Sequence, residues 1–109
     1  MIIRLAIFTG HVPSDAVTAF NAHVTQRMLP LIASFPGISS VRVLRTEGGD
    51  GLLADACLAL EMTYPDLAAM DRALASPERA QNAAETETLL AMVKNPAVSH
   101  AVFEVAASG

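Results

Sequence analysis

The chain has 109 residues, room for one domain spanning 1–109 and not for two. With 52% hydrophobic and 17% charged residues it is no disordered protein, and a net charge of −4 on only seven Lys and Arg argues against a nucleic-acid partner. A single cysteine excludes a disulfide framework and a cysteine-based zinc site. Its apolar runs fall short of the ~20 residues of a membrane span, and its first residues lack the pattern of a signal peptide, so a cytoplasmic protein with no membrane partner is expected.

The scarcity of charge carries a second message. A small domain has much surface to cover. The surplus apolar surface predicts burial against a second copy, and twofold dimers are the commonest way to do this.

Ile2 to Thr9 is β-branched and apolar and reads as a first strand, ending at Thr9-Gly10. Pro13-Ser14-Asp15 then opens a helix. Val17, Phe20, Val24, Met28, Leu31 and Phe35 recur at helical spacing as one apolar stripe. Pro30 removes the amide that would bond to Gln26, so it should kink or restart that helix. Pro36-Gly37 ends it.

Ile38 to Thr46 reads as a second strand, Glu47 to Gly51 as a turn and Leu52 to Thr63 as a third strand, with a helix as the competing reading there. Pro65 starts a second helix, Thr63 and Asp66 having capping-box spacing, with Leu67, Met70 and Leu74 facing inward. Ser76-Pro77-Glu78 starts a third, running to about Val93. Asn95-Pro96 breaks it, and Ala97 to Ala106 is a last strand.

The expected fold class is therefore α+β, a ferredoxin-like βαββαβ chain with a four-stranded antiparallel sheet and helices on one face. Strand parity sorts two faces. One is wholly apolar (Ile3, Leu5, Ile7, Val41, Val43, Leu58, Leu60, Met62, Ala101, Phe103, Val105) and is expected under the helices. The other is mixed (Arg4, Ala6, Phe8, Arg42, Cys57, Glu61, His100, Glu104) and is expected to meet a second sheet.

No dinucleotide, phosphate-loop, zinc-protease or nucleophile-elbow motif is present. His11, His23 and His100 lack metal-ligand spacing, so neither a metal nor another cofactor is expected. His23 and Arg27 lie four apart at the edge of the stripe, placed to rim a substrate pocket or to form a plain surface pair. Cys57 reads as a small buried hydrophobe. Tyr64 is placed either to donate to a ligand or to sit in the core with its hydroxyl wet.

The last constellation depends on the fold. With the third strand parallel and the fourth antiparallel to the first, Glu61 and His100 both come near Phe8, and Glu104 comes beside Arg4. Glu61 and His100 would then stand roughly 10 Å apart, an acid and a base flanking a small substrate on Phe8. The alternative is an interface pair joined by water.

Two segments carry a resemblance. Pro30-Leu31-Ile32-Ala33-Ser34-Phe35-Pro36-Gly37-Ile38 resembles the HAPLxxxLPGL segment of the EthD family. Glu61-Met62-Thr63-Tyr64, then Leu67, Met70, Leu74 and Ser76-Pro77-Glu78, resembles its ELWF…aLxaalaSPE segment. The resemblance implies a dimeric α+β barrel: a homodimer with sheets face to face and a small-molecule cavity in each subunit. Relatives of that fold include cofactor-free monooxygenases, polyketide cyclases and lactone isomerases. The motif histidine falls at Met28 here, whereas Glu61 matches the family's glutamate.

Two functions follow as expectations. One is a dimeric enzyme of oxygenase, isomerase or cyclase type, working without a cofactor on a small apolar ligand. The other is a non-catalytic binding or accessory subunit of a degradation or biosynthetic pathway. A cavity with converging polar groups favours the first and a solid core the second.

Overall fold

The computed structural model describes residues 1–109. The strands are β1 (Ile2–His11), β2 (Ser40–Leu44), β3 (Ala56–Tyr64) and β4 (Lys94–Glu104), ordered β2-β3-β1-β4 in one sheet. All neighbours are antiparallel. The expectation of a parallel third strand is corrected here. The helical crossover returns β2 parallel to β1, and the β2–β3 hairpin reverses direction once more. The helices are α1 (Val17–His23), α2 (Leu29–Ala33), α3 (Leu67–Leu74) and α4 (Pro77–Leu90).

Between α1 and α2 the chain makes a π-helical turn, Val24–Met28. Pro30 lies one residue beyond it, at the start of α2, where its missing amide is tolerated. The wide turn explains the observed stripe. Phe20, Val24, Met28 and Ile32 are buried at uninterrupted intervals of four, which a uniform 3.6-residue helix would rotate off the core. Ile32 thus takes the place expected of Leu31.

Other boundaries move for local reasons. Residues 14–16 form turns, and α1 begins at Val17 without a side-chain cap. The Ile38 amide bonds to the Phe35 carbonyl (3.3 Å) in a turn, which shortens β2. Gly51–Leu53 forms a 3-10 turn, leaving Leu52 in solvent. Asp66, not Thr63, caps α3, accepting from the Ala69 amide at 2.8 Å. Ala69, Met70 and Ala73 face inward there, and Leu67 is exposed. Ser76 caps α4, accepting from the Arg79 amide at 3.2 Å.

The register assigns the faces. Ala6 lies between Leu60 and His100, and Phe8 between Leu58 and Val98. Ile2, Ala6, Phe8, Leu58, Leu60, Met62 and Tyr64 are buried, so this is the side beneath the helices. By parity Arg4, His100 and Val102 belong to it as well. The expected parity of β2 and β3 therefore holds, and that of β1 and β4 is inverted. Ile3, Leu5, Ile7, Ala101 and Phe103 lie on the face no helix covers. Uniform apolarity was the wrong index of the covered side, because the covered side surrounds a cavity that takes polar groups.

The core joins this face to Phe20, Val24, Met28, Ile32, Phe35, Met70, Ala73 and Leu89. Burying each of the larger side chains contributes about 1.5–3 kcal/mol. Gly10 lies at the register shift between Thr9 and His11, where β1 meets the start of β4. Its φ is +132°, and a Cβ there would stand 2.6 Å from Val93 Cγ1 and 2.8 Å from the Lys94 carbonyl. Gly10→Ala is expected to lower unfolding free energy by about 2 kcal/mol or more, read as a lower urea midpoint at unchanged slope.

Candidate functional site

A cavity of about 390 Å³ opens between the sheet and α4, within the range of small-molecule pockets. Its sheet side is Arg4, Ala6, Phe8, Leu60, Met62, Val98 and His100. Its helical side is Ile32 and Phe35 at the end of the crossover, with Arg79, Asn82, Ala83, Thr86, Glu87 and Leu90 of α4. The α4 residues step by three and four, so they form one face of that helix. It is a polar face turned toward the sheet, the reverse of a core-packing helix.

The antiparallel register lines up the site's polar groups. Arg4 faces Met62 on one side and Val102 on the other. Tyr64 and His100 lie two residues along, each a diagonal neighbour of Arg4 on the same face. Arg79 descends from the first turn of α4 and acts electrostatically on Arg4, Tyr64 and His100 alike. One end of the cavity is therefore cationic. The other, formed by Phe8, Leu90, Pro96 and Val98, is mostly apolar.

The protonation states follow. Burial, then Arg4 and Arg79, push His100 below the ordinary histidine value of 6.5, so it is neutral at pH 7 and offers a ring nitrogen as acceptor. Burial raises Tyr64, so its hydroxyl keeps its proton. That hydroxyl is fully buried and has no hydrogen-bond partner, and neither has the Asn82 Oδ1. Burial, then Arg79, lower Arg4 from the usual arginine range. Both arginines lack an acid partner within 4.0 Å.

The expected site residues divide. Phe8 and His100 line the cavity, and Tyr64 lies beside its cationic end. Glu61 does not join them. It sits on the uncovered face beside Leu5, and Arg42 Nε donates to its Oε1 at 2.8 Å. Glu61 and His100 stand on opposite faces of one sheet and cannot flank a common substrate within a protomer. The juxtaposition at Phe8 required a parallel third strand. Glu104 faces Ile2 rather than Arg4, and the two form no ion pair.

His23 and Arg27 are a tie between α1 and α4. His23 Nε2 contacts the Glu85 carbonyl at 2.8 Å and Glu85 Oε2 at 3.3 Å, and Arg27 Nη2 reaches Glu85 Oε1 at 3.3 Å. Neither lines the cavity. Cys57 is half-buried at a bulge, where Phe8 faces Leu58 and Thr9 faces Ala56. Its thiol donates weakly to the Phe8 carbonyl at 3.4 Å, and burial holds it protonated. No three His, Cys, Asp or Glu side chains are grouped to hold a metal ion.

Arg4, Arg79, Asn82, Thr86 and Glu87 were not expected. The signal for the last four was present as a polar stripe at spacing 79, 82, 86 and 87 within a helix otherwise rich in alanine. Arg4 shows only as one charge in an apolar strand.

No family model matches the chain, and no curated protein matches it. Solved structures do. An ethyl tert-butyl ether degradation (EthD) family protein from Bacillus halodurans superimposes with a TM-score of 0.73 at 21% identity, over 95% of this chain and 98% of that one. SnoaB, a cofactor-independent oxygenase from Streptomyces nogalater, gives 0.63 at 20% identity, over 98% and 94%. A dimeric ferredoxin-like protein from Jannaschia gives 0.64 at 15% identity, over 94% and 99%. These superpositions establish a shared α+β ferredoxin-like fold, and the resemblance to the EthD family holds at that level. No helix is long and apolar enough to cross a membrane.

The placement of Arg79 is open to a direct check. Arg79→Gln removes one of the two cations that depress His100, so the midpoint of the His100 ring resonances should rise toward 6.5 in a proton NMR titration. An unmoved midpoint would show that Arg79 does not face His100.

Proposed function

We propose that the protein binds a small, largely apolar molecule in this cavity and is a cofactor-free enzyme whose first step is proton removal by His100. The observation that carries the reading is a neutral histidine at the mouth of a cavity with a cationic end. Neutral imidazole is a proton acceptor at pH 7, and nearby guanidinium groups stabilise the negative charge left on a substrate oxygen. Isomerisation, cyclisation and direct oxygenation of an activated carbon all begin from such an anion. Phe8 is a wall for the apolar body. Likeness in fold to SnoaB and to an EthD family protein supports the reading. The polar residues converging on the cavity favour it over a purely accessory subunit.

The test uses 2-tetralone, a bicyclic ketone with acidic C–H bonds, in deuterium oxide. Wild-type protein should speed exchange at the carbon next to the carbonyl, and His100→Gln should lose about a hundredfold or more of that acceleration. Equal rates for the two proteins would reject His100 as the base. Because the fold keeps His100 neutral, the wild-type rate should hold as pH falls through 6.5 and decline only below it.

The uncovered sheet face supports a homodimer. Ile3, Leu5, Ile7 and Phe103 lie on it, Phe103 half exposed, around the Arg42–Glu61 pair. The Jannaschia protein of the same fold is described as dimeric. In sedimentation at micromolar concentration the chain should run at twice its 11.4 kDa, and Phe103→Glu should return it to the single mass. Glu61→Gln should loosen the dimer and leave the exchange reaction intact. A wild-type species of 11.4 kDa alone would refute the dimer.

A further inference from the structure

We infer that the cavity selects organic acids: a carboxylate between Arg4 and Arg79, with an apolar body reaching toward Phe8 and Leu90. This rests on the cavity being a ligand site and names the class of molecule it takes.

The chain treats its arginines in two ways. Arg27 and Arg42 each meet a carboxylate, from Glu85 and Glu61. Arg4 and Arg79 meet none, although they share one cavity and act on each other electrostatically. Two like charges facing a partly desolvated space repel, and the fold holds them there without a counter-charge.

The lining offers no internal neutraliser. Glu87 is eight residues beyond Arg79, roughly 12 Å farther along the α4 axis, toward Leu90. His100 and Tyr64 are uncharged at pH 7. A bound anion would supply that counter-charge.

The chemistry of the donors narrows the anion. Guanidinium forks match the paired oxygens of a carboxylate as they do those of a phosphate, and the largely apolar remainder of the cavity favours the smaller, singly charged carboxylate. No lysine lines the cavity, and the first-turn amide of Arg79 is already taken by Ser76. The rest of the wall is Phe8, Ile32, Phe35, Leu60, Leu90 and Val98, which fits an aromatic or aliphatic body.

The experiment compares 2-naphthoate with its neutral isostere 2-naphthamide by calorimetric titration at pH 8. Wild type should prefer the naphthoate by about tenfold or more. Arg79→Gln, at an exposed helix position that leaves the fold intact, should abolish that preference while changing naphthamide affinity by no more than about twofold. Arg4→Gln should do the same, and Arg72→Gln, on the outer surface of α3, should keep the preference. Equal binding of the two ligands to wild type, or a preference that survives Arg79→Gln, overturns acid selection and leaves the cavity standing. Failure of both ligands to bind or to shift the His100 resonances overturns the cavity reading, and acid selection with it.

Discussion

The central place of β1 constrains everything else. It is hydrogen-bonded on both edges, to β3 and to β4, so its register fixes theirs. Side chains alternate across the regular stretch of a strand, as from Ile2 to Phe8 here. Once Ile2, Ala6 and Phe8 are committed to the helices, Arg4 must go with them. A charged side chain is thus carried beneath the helices by parity and not by local preference. It is not close-packed there. The polar face of α4 stands off from the sheet above it, and the gap between them is the cavity.

The helices divide the work accordingly. The crossover from Val17 to Ala33 and the short α3 fill the core, with Met28, Ile32 and Ala73 almost wholly out of solvent. The longer α4 contributes Leu89 to that core and otherwise turns arginine, amide and hydroxyl groups inward. The Glu85 tie to His23 and Arg27 holds it against the crossover. Cavity lining and core packing are drawn from different faces of the same layer.

Much of the fold is legible in the sequence, because it rests on punctuation. Pro30, Pro36-Gly37, Pro65 with Asp66, and Ser76-Pro77 mark helix ends by backbone chemistry that tertiary structure seldom overrides. The site is less legible, for a physical reason. Apolarity reports burial of any kind, so a sheet with one face under helices and another that is also apolar gives no reliable sign of which is which. Reading Ile3, Leu5 and Ile7 as the covered side placed Arg4 outside and drew attention to Glu61. Phe8 and His100 were placed outside with Arg4 by the same choice, and singled out only through a pairing with Glu61 that the antiparallel register removes. Arg79, Asn82 and Thr86 matter only through a helix packing that one sequence does not display.

The start of β4 has a consequence for how such molecules meet. Lys94, Asn95 with a φ of +53° and Pro96 open this edge strand, and Pro96 has no amide to offer a neighbour. The opposite edge, β2, is only five residues long. Both borders of the sheet are therefore poor templates for an incoming strand. An apolar flat side with short or proline-opened rims favours face-to-face over edge-to-edge contact. Ribbon-like growth, the hazard of any apolar sheet, is hindered at the Lys94–Pro96 end of β4.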